Sequence, residues 1–398
     1  MAVNLATELC GIRFKNPIIV PAGTHGRDGA TIRSVSKSGV AGICTKTIVS
    51  QPARDVLPCF VKVQAGMINS VFGSDRSAEY WFSKGIQEAK EGEAVVIANL
   101  AGFTPDEAAK LAADAQAAGA DMIEVPTHCP HMGEILNAMF PGMNYPEPKL
   151  TDLEPMRLSV QAIKARVRVP VAVKLSGSFS HIVPEWARGV KEAGADAIAC
   201  SDALGPALSI DIRTGQPKLG GPRGVGGLTG PAIMPIALRM VLDIAQSVDL
   251  PIIGVGGVTG AGDVVEYLMA GATLVGVCTA GHLNGPQRYA RILGDLETLL
   301  SELGVGSPAD IRGLALQRIR ERAEKGLAAV VEPVPAVVDP GLCNGCGLCE
   351  RVCVYGAARM AGARRGADAR AVIDPECCVG CGLCVSVCPE EAIGQVYY

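Results

Sequence analysis

Eight of the chain's fifteen cysteines fall between positions 343 and 388 in two copies of one spacing. Cys343, Cys346, Cys349 and Cys353 follow C-x2-C-x2-C-x3-C, and Cys378, Cys381, Cys384 and Cys388 repeat it, with Pro389 directly after the last. Thiolates at these intervals predict two four-iron four-sulfur (4Fe-4S) clusters. Cysteines close together on a tight loop grip neighbouring irons of one cubane, whereas the fourth sits past a helical turn and reaches the other. The first cluster is therefore expected on Cys343, Cys346, Cys349 and Cys388, and the second on Cys378, Cys381, Cys384 and Cys353. Zinc competes for C-x2-C pairs, but a zinc ion takes four ligands and gains nothing from a third, evenly spaced cysteine. Val354 stands where this pattern often carries proline, and Cys377 is a spare thiol beside the second run. Cys10, Cys44, Cys59, Cys129, Cys200 and Cys278 read by default as small core residues.

A second set of residues points to an anion site. Lys46, in Thr45-Lys46-Thr47, and Lys174, in Val173-Lys174-Leu175, are ammonium groups at the ends of apolar runs. A buried ammonium is costly, so each must be paired or placed by function. Gly254-Val255-Gly256-Gly257 and Val277-Cys278-Thr279 expose backbone N–H groups that favour a phosphate dianion. Flavin mononucleotide (FMN) satisfies both sets, with its phosphate on the glycine loops and its ring on the lysines. Thr259 occupies the place of the third glycine of G-x-G-x-x-G, so no dinucleotide-binding unit is visible. His25, His128, His131 and Asp202 all follow strands and are expected to converge. Their spacing is not that of a metal motif, and Asp202 is read as orienting a histidine or accepting a substrate hydrogen bond.

The elements that position these residues alternate between short β-branched runs and amphipathic helical stretches. Strands are expected at 18–21, 43–47, 95–100, 122–126, 171–175, 197–201, 252–255 and 274–278, each followed by a helix. The helix at 105–118 opens on Thr104 as its cap, and Gly119, Gly194 and Gly271 are placed to stop helices. Eight such units predict an α/β fold, a (βα)8 TIM barrel over 1–303, with functional residues just after the strands. The competing architecture is a doubly wound open sheet. Residues 304–340 read as a helix and a proline-rich linker, and 341–398 as a small bacterial-ferredoxin-like domain with two 4Fe-4S clusters. A formal net charge of −4 gives no basic surface for nucleic acid, and no run of apolar residues is long enough to span a membrane. Cluster thiolates require a reducing compartment, so the chain is expected to be cytoplasmic.

These residues, in this order, resemble the flavin barrel and ferredoxin-like end of dihydropyrimidine dehydrogenase, its bacterial iron–sulfur subunit and, more broadly, the dihydroorotate dehydrogenases. The likeness runs through Leu9 to Pro17, Thr45-Lys46-Thr47, Asn69, Ser74 to Trp81, Cys129-Pro130-His131, Lys174, Gly226 to Leu238, Gly256-Gly257 and Cys278-Thr279. It implies FMN at the barrel mouth in contact with Ala22, Lys46, Thr47, Asn69, Lys174, Cys200, Gly227, Gly256, Gly257, Cys278 and Thr279. It also implies that Cys129 is the general acid or base, flanked by His128 and His131, with the substrate on Asn69, Ser201 and Asp202. Four positions depart from the pyrimidine enzymes. Pro126 replaces Asn, His128 replaces Ser, and Ser201-Asp202 replaces Asn-Thr, leaving Asn69 as the retained ring-gripping amide. The loop at 132–145 reads either as a lid over an apolar part of the substrate or as packing under the ferredoxin-like end.

The function expected is an oxidoreductase that forms or reduces a C=C bond next to a carbonyl in a small cyclic substrate, with dihydropyrimidine as the nearest named case. The alternatives are an enoyl or alicyclic substrate on the same cofactors, and an electron-transfer subunit with no substrate of its own. FMN couples hydride to one-electron chemistry, and the chain lacks a site for the ultimate donor. An NAD(P)H-dependent flavin subunit or a ferredoxin is therefore the expected partner, in an oligomer.

Overall fold

The computed structural model describes residues 3–127, 149–326, 332–362 and 369–395, together with Gly133, Asn137 and Gly142. The expected catalytic residues His128, Cys129 and His131, and the 132–145 loop apart from Gly133, Asn137 and Gly142, lie outside the described residues. The chain divides into two compact units, residues 1–316 and 317–398.

The first unit is a closed parallel barrel. Its strands are β1 (Ile18–Val20), β2 (Gly42–Cys44), β3 (Val95–Asn99), β4 (Met122–Pro126), β5 (Val171–Leu175), β6 (Ala197–Cys200), β7 (Ile252–Val255) and β8 (Leu274–Gly276). They pair in chain order, and β8 closes on β1. This is the expected TIM barrel, not the open sheet. A helix follows each strand: α1 (Gly29–Ser36), α2 (Ile86–Lys90), α3 (Pro105–Ala117), α4 (Glu154–Lys164), α5 (Val183–Glu192), α6 (Met234–Ser247), α7 (Ala261–Met269) and α8 (Gln287–Glu302). Several strands stop one to three residues before their expected ends, because the ladder is lost as the chain turns outward at the mouth. Thr45, Lys46, Thr47, Ser201 and Cys278 therefore stand on loops or caps, not in strands.

Local chemistry sets the helix ends. The Thr104 hydroxyl caps α3 by accepting the Glu107 N–H at 3.2 Å, and Ala108, Leu111, Ala112 and Ala115 form its buried face. Gly119, Gly194 and Gly271 have φ of 98°, 88° and 116°, a region where a side chain is strained and where α3, α5 and α7 stop.

Two apolar layers hold the barrel. The outer one packs helices against strands through residues such as Val96, Ile123, Val173 and Ile198. The inner one contains Ile19, Ile97, Met122, Ala172, Ala199, Ile253 and Leu274, joined by Leu9 and Phe14. Leu9 and Phe14 come from a hairpin, Thr7–Leu9 with Ile12–Phe14, whose Cys10 thiol donates to the carbonyl of Asp196 just before β6. The hairpin therefore plugs the N-terminal end of the barrel and leaves the C-terminal end as the mouth. Of the six cysteines read as core, Cys44 and Cys200 are buried, whereas Cys10, Cys59 and Cys278 are partly exposed. Cys10 still packs against the inner layer, whereas Cys59 and Cys278 belong to neither layer, so the default reading fails for those two.

A four-stranded antiparallel sheet, in the order Leu204–Leu208, Val225–Thr229, Gly66–Asn69 and Phe60–Val63, is built from the excursions after β2 and β6. After α8 come two further helices, Pro308–Ile311 and Leu314–Glu324, the latter with no buried residue. In the second unit, Val337–Val338 pairs with Ile393–Gly394 and Ala358–Ala361 with Arg370–Ile373. Short helices, Leu348–Val352 and Leu383–Ser386, follow the first cysteines of each run. The core of this unit is Ala336, Cys349, Ala358, Ala371 and Ile393, with Cys343, Cys353, Cys384 and Cys388 packed against it.

The inner layer is filled by small residues where β5 and β6 meet, and Ala199 there is fully buried. Ala199→Leu is expected to overpack it and cost about 1–3 kcal/mol, read as a lower urea midpoint.

Candidate active site and cysteine cavities

At the mouth, polar side chains emerge from strands that are otherwise apolar. Lys174 on β5 and Glu124 on β4 form an ion pair at 2.6 Å, and both are buried. Asn99 on β3 donates its amide to the same Glu124 oxygen, Oε1, at 2.6 Å. The Thr45 hydroxyl, after β2, accepts the Asn99 N–H at 3.0 Å. Burial alone would push the Lys174 ammonium down, but Glu124 more than offsets it, so Lys174 is held above its usual range and stays charged. Two oxygens of this array, Asn99 Oδ1 and Glu124 Oε2, are buried and have no partner among the described residues. Buried polar atoms left in this state cost stability unless something else satisfies them.

The other expected contacts surround this array. Lys46 is buried and pairs at 2.9 Å with Asp55, whose second oxygen takes the Phe72 N–H. Asn69 ends one strand of the antiparallel sheet, and its amide reaches the Gly227 carbonyl at 3.4 Å. The Ser201 hydroxyl bonds the Val255 carbonyl at the end of β7. Gly256 and Gly257, with φ of 128° and 83°, follow β7. A Cβ on Gly257 would meet Met234 at 2.4 Å, and one on Gly256 would meet Ala237 at 2.9 Å, so only bare backbone fits there. Ala22, Thr47, Cys200, Cys278 and Thr279 all lie at or just beyond strand ends.

Asp202 accepts the Gly177 N–H at 3.1 Å, and burial pushes its carboxyl up to about 7 against the pull of that bond, Lys174 and Ser176. Among the described residues no histidine is its partner, and His128 and His131 lie outside them. His25 stacks on His282 and bonds Tyr289.

In the second unit, one cavity is lined by Cys378, Cys381, Cys384 and Cys353, and another by Cys343, Cys346, Cys349 and Cys388. Each therefore takes three cysteines from one run and the fourth from the other. Among the described residues no three cysteine, histidine or carboxylate groups converge as a single ion requires. Thiolates about 2.3 Å from one zinc ion would converge in that way, whereas a cubane spreads its four ligands around a larger body. The lining thus fits clusters better than zinc. The backbone N–H groups of residues 355–358 outweigh desolvation at Cys353 and lower its thiol below the usual range, which favours a thiolate ligand.

Residues 4–300 match the dihydroorotate dehydrogenase family, and residues 342–392 match the 4Fe-4S dicluster domain. The chain belongs to the dihydroorotate dehydrogenase family. It is 37% identical over 316 residues to the dihydroorotate dehydrogenase B (NAD(+)) catalytic subunit of Methanothermobacter thermautotrophicus, covering 79% of this chain and 99% of that protein. The correspondingly named subunits of Geobacillus kaustophilus and Pyrococcus horikoshii are each 33% identical over 314 residues, covering 78% and 79% of this chain and 95% and 98% of those proteins. About a fifth of this chain lies beyond these matches. As a dihydroorotate dehydrogenase family member, the chain is an oxidoreductase of the class acting on CH–CH bonds, here joined to a 4Fe-4S dicluster domain. Among the described residues no helix is long and apolar enough to cross a membrane.

Sequence reasoning passed over Asn99, Glu124, Asp55 and His282. For the first two a signal was present, since Asn and Glu interrupt the apolar runs of β3 and β4. A polar residue inside a barrel strand must face a partner or a ligand.

Two consequences are measurable. Lys174→Met leaves Glu124 buried and unpaired and is expected to cost about 3–5 kcal/mol in urea unfolding, with much of that loss recovered when Glu124→Leu is added. Asp202 stays protonated in the folded chain up to about pH 7. In the unfolded chain it ionises near pH 4, at about 3.9. Its contribution therefore turns unfavourable as pH rises through this window. Asp202→Asn should stabilise the chain more at pH 8 than at pH 5, where urea midpoints are compared.

Proposed function

We propose that the chain is an FMN- and iron–sulfur-dependent oxidoreductase that interconverts a saturated carbon pair and a C=C bond beside a carbonyl in a small cyclic substrate. The observation that carries this reading is the pair of buried oxygens on Asn99 and Glu124 that have no partner among the described residues, held beside the Lys174 ammonium at the mouth. A polar, planar ring with donors and acceptors along its edge satisfies such an array, and the close-packed Gly256-Gly257 turn leaves its N–H groups to a phosphate. When bound, FMN supplies hydride transfer on one side and single-electron exchange on the other.

The chain's own residues then divide the work. Lys46, Lys174, Asn69, Asn99 and Glu124 bind and orient the cofactor, and Thr47, Gly227, Gly256, Gly257, Cys278 and Thr279 line its place. Cys129 exchanges a proton with the substrate carbon next to the one that exchanges hydride. A thiol with pKa near 8.5 is mostly protonated at neutral pH yet moves its proton at modest cost. Ser201 and Asp202 face the substrate. Cys343, Cys346, Cys349 and Cys388 hold one 4Fe-4S cluster, and Cys378, Cys381, Cys384 and Cys353 the other. The outside redox partner is an NAD(P)H-dependent flavin subunit or a ferredoxin. The word "subunit" in the relatives' names supports a multi-chain enzyme.

A second reading concerns the substrate. Pro126 has no side-chain amide, and Asp202 offers a carboxyl instead of one, so a ring that depends on amide partners loses them here. This favours a cyclic compound other than uracil or thymine.

Anaerobic purification should yield about eight irons and one FMN per chain. Dihydroorotate, dihydrouracil, dihydrothymine and alicyclic acids are then scored by bleaching of the flavin. Cys129→Ala should keep iron and flavin yet lose turnover about 10²- to 10⁴-fold. Unchanged turnover removes Cys129 from the chemistry, and bleaching only by a reduced ferredoxin supports a subunit without its own substrate.

A further inference from the structure

The mouth carries a second group of titratable side chains, of which the roles above use only Cys278, and that only as lining. Cys278 precedes a short helix, Thr279–Asn284, after β8, and His282 lies on that helix with Nδ1 3.5 Å from the Cys278 thiol. Both ring nitrogens are held, Nδ1 also by the Cys278 carbonyl at 3.1 Å and Nε2 by the Thr24 hydroxyl. The ring stacks on His25 at 4.3 Å and 11°, and His25 Nδ1 meets the Tyr289 hydroxyl at 2.7 Å. Cys278 is only partly buried, and the residue across from it is Gly23, which has no side chain to cover the sulfur.

The charges are distributed unevenly. Burial and the neighbouring His282 push His25 down to about 4, so it is neutral. Burial would lower His282 as well, but its bond to Cys278 outweighs this and raises it to about 9. The stacked pair thus holds one proton at neutral pH, on the ring beside the thiol. The remaining titratable groups facing Cys278 are Tyr289 and Cys44, both pushed up by burial and uncharged. A thiol beside a fixed cation and away from carboxylates is the environment that makes a cysteine nucleophilic.

We propose that Cys278 and His282 form a nucleophilic pair sharing one proton across their 3.5 Å contact, a covalent capture site for soft electrophiles of the α,β-unsaturated carbonyl class. The sulfur bonds to the β-carbon, the C=C π pair moves to the α-carbon, and the α-carbon takes the proton that the pair shared. The step is a net addition in which nothing is oxidised or reduced. It needs no cofactor, so it stands apart from the flavin reading.

The test uses the full chain, purified without air and treated with N-ethylmaleimide, with adducts located by peptide mass spectrometry. At pH 7 Cys278 is expected to label at least about tenfold faster than Cys59, a partly exposed thiol that burial and Asp55 hold protonated. His282→Gln and His282→Phe should each bring Cys278 down to the Cys59 rate, and the ratio of the two rates in the unaltered chain decides the matter if both fail to fold. Equal rates, no effect of the substitutions, or labelling only after flavin is stripped would each overturn the proposal. A colourless preparation that still labels Cys278 would instead count against the flavin reading alone.

Discussion

The buried ion pair between Lys174 and Glu124 is the constraint around which the barrel mouth is organised. Two charges taken out of water recover their desolvation cost only when every remaining donor and acceptor is also met. Asn99 completes one Glu124 oxygen, and Thr45 fixes the backbone of Asn99. Asn99 Oδ1 and Glu124 Oε2 are buried without partners among the described residues. A pair of this kind is incomplete by itself, and the surrounding elements make sense as the frame for whatever completes it. The Gly256-Gly257 turn clears backbone on one side, and Asn69 on the added antiparallel sheet closes in beside Gly227.

The two units solve the problem of a core differently. The barrel has enough chain to bury two apolar layers, and its hairpin plug fills one end with Leu9 and Phe14. The second unit is too short for such a core. Its buried residues are largely alanines, and cysteine thiols take the places that branched aliphatic side chains would fill elsewhere. Order in that unit is therefore tied to what the sulfurs bind.

Much of the barrel was legible because its strands are apolar runs punctuated by glycine and proline. β4, β5 and β7 begin and end where the residue pattern places them, whereas β2 and β8 stop early as Lys46 and Cys278 turn out of the ladder. The antiparallel sheet was not legible. Its strands are glycine-rich or short, Val225–Thr229 and Leu204–Leu208 among them, and only pairing between distant excursions makes them strands. Lys174 was visible as a charge needing a partner, but the identity of that partner depends on β4 and β5 lying side by side in register. The meeting of His25, His282 and Tyr289 likewise depends on barrel closure, which brings the two ends of the strand sequence together. No local pattern encodes it. Cysteine spacing was the strongest local signal, because both the repeat and its crossing are written into neighbouring residues.

That crossing makes each half of the small unit a clasp for the other. Each cavity borrows its last thiol from the opposite run, Cys353 in one direction and Cys388 in the other. Neither repeat is a self-sufficient module: cut apart, each cavity would keep three of its four sulfurs. The doubled run is thus fastened like interlocked hands, and the two halves must mature as one piece.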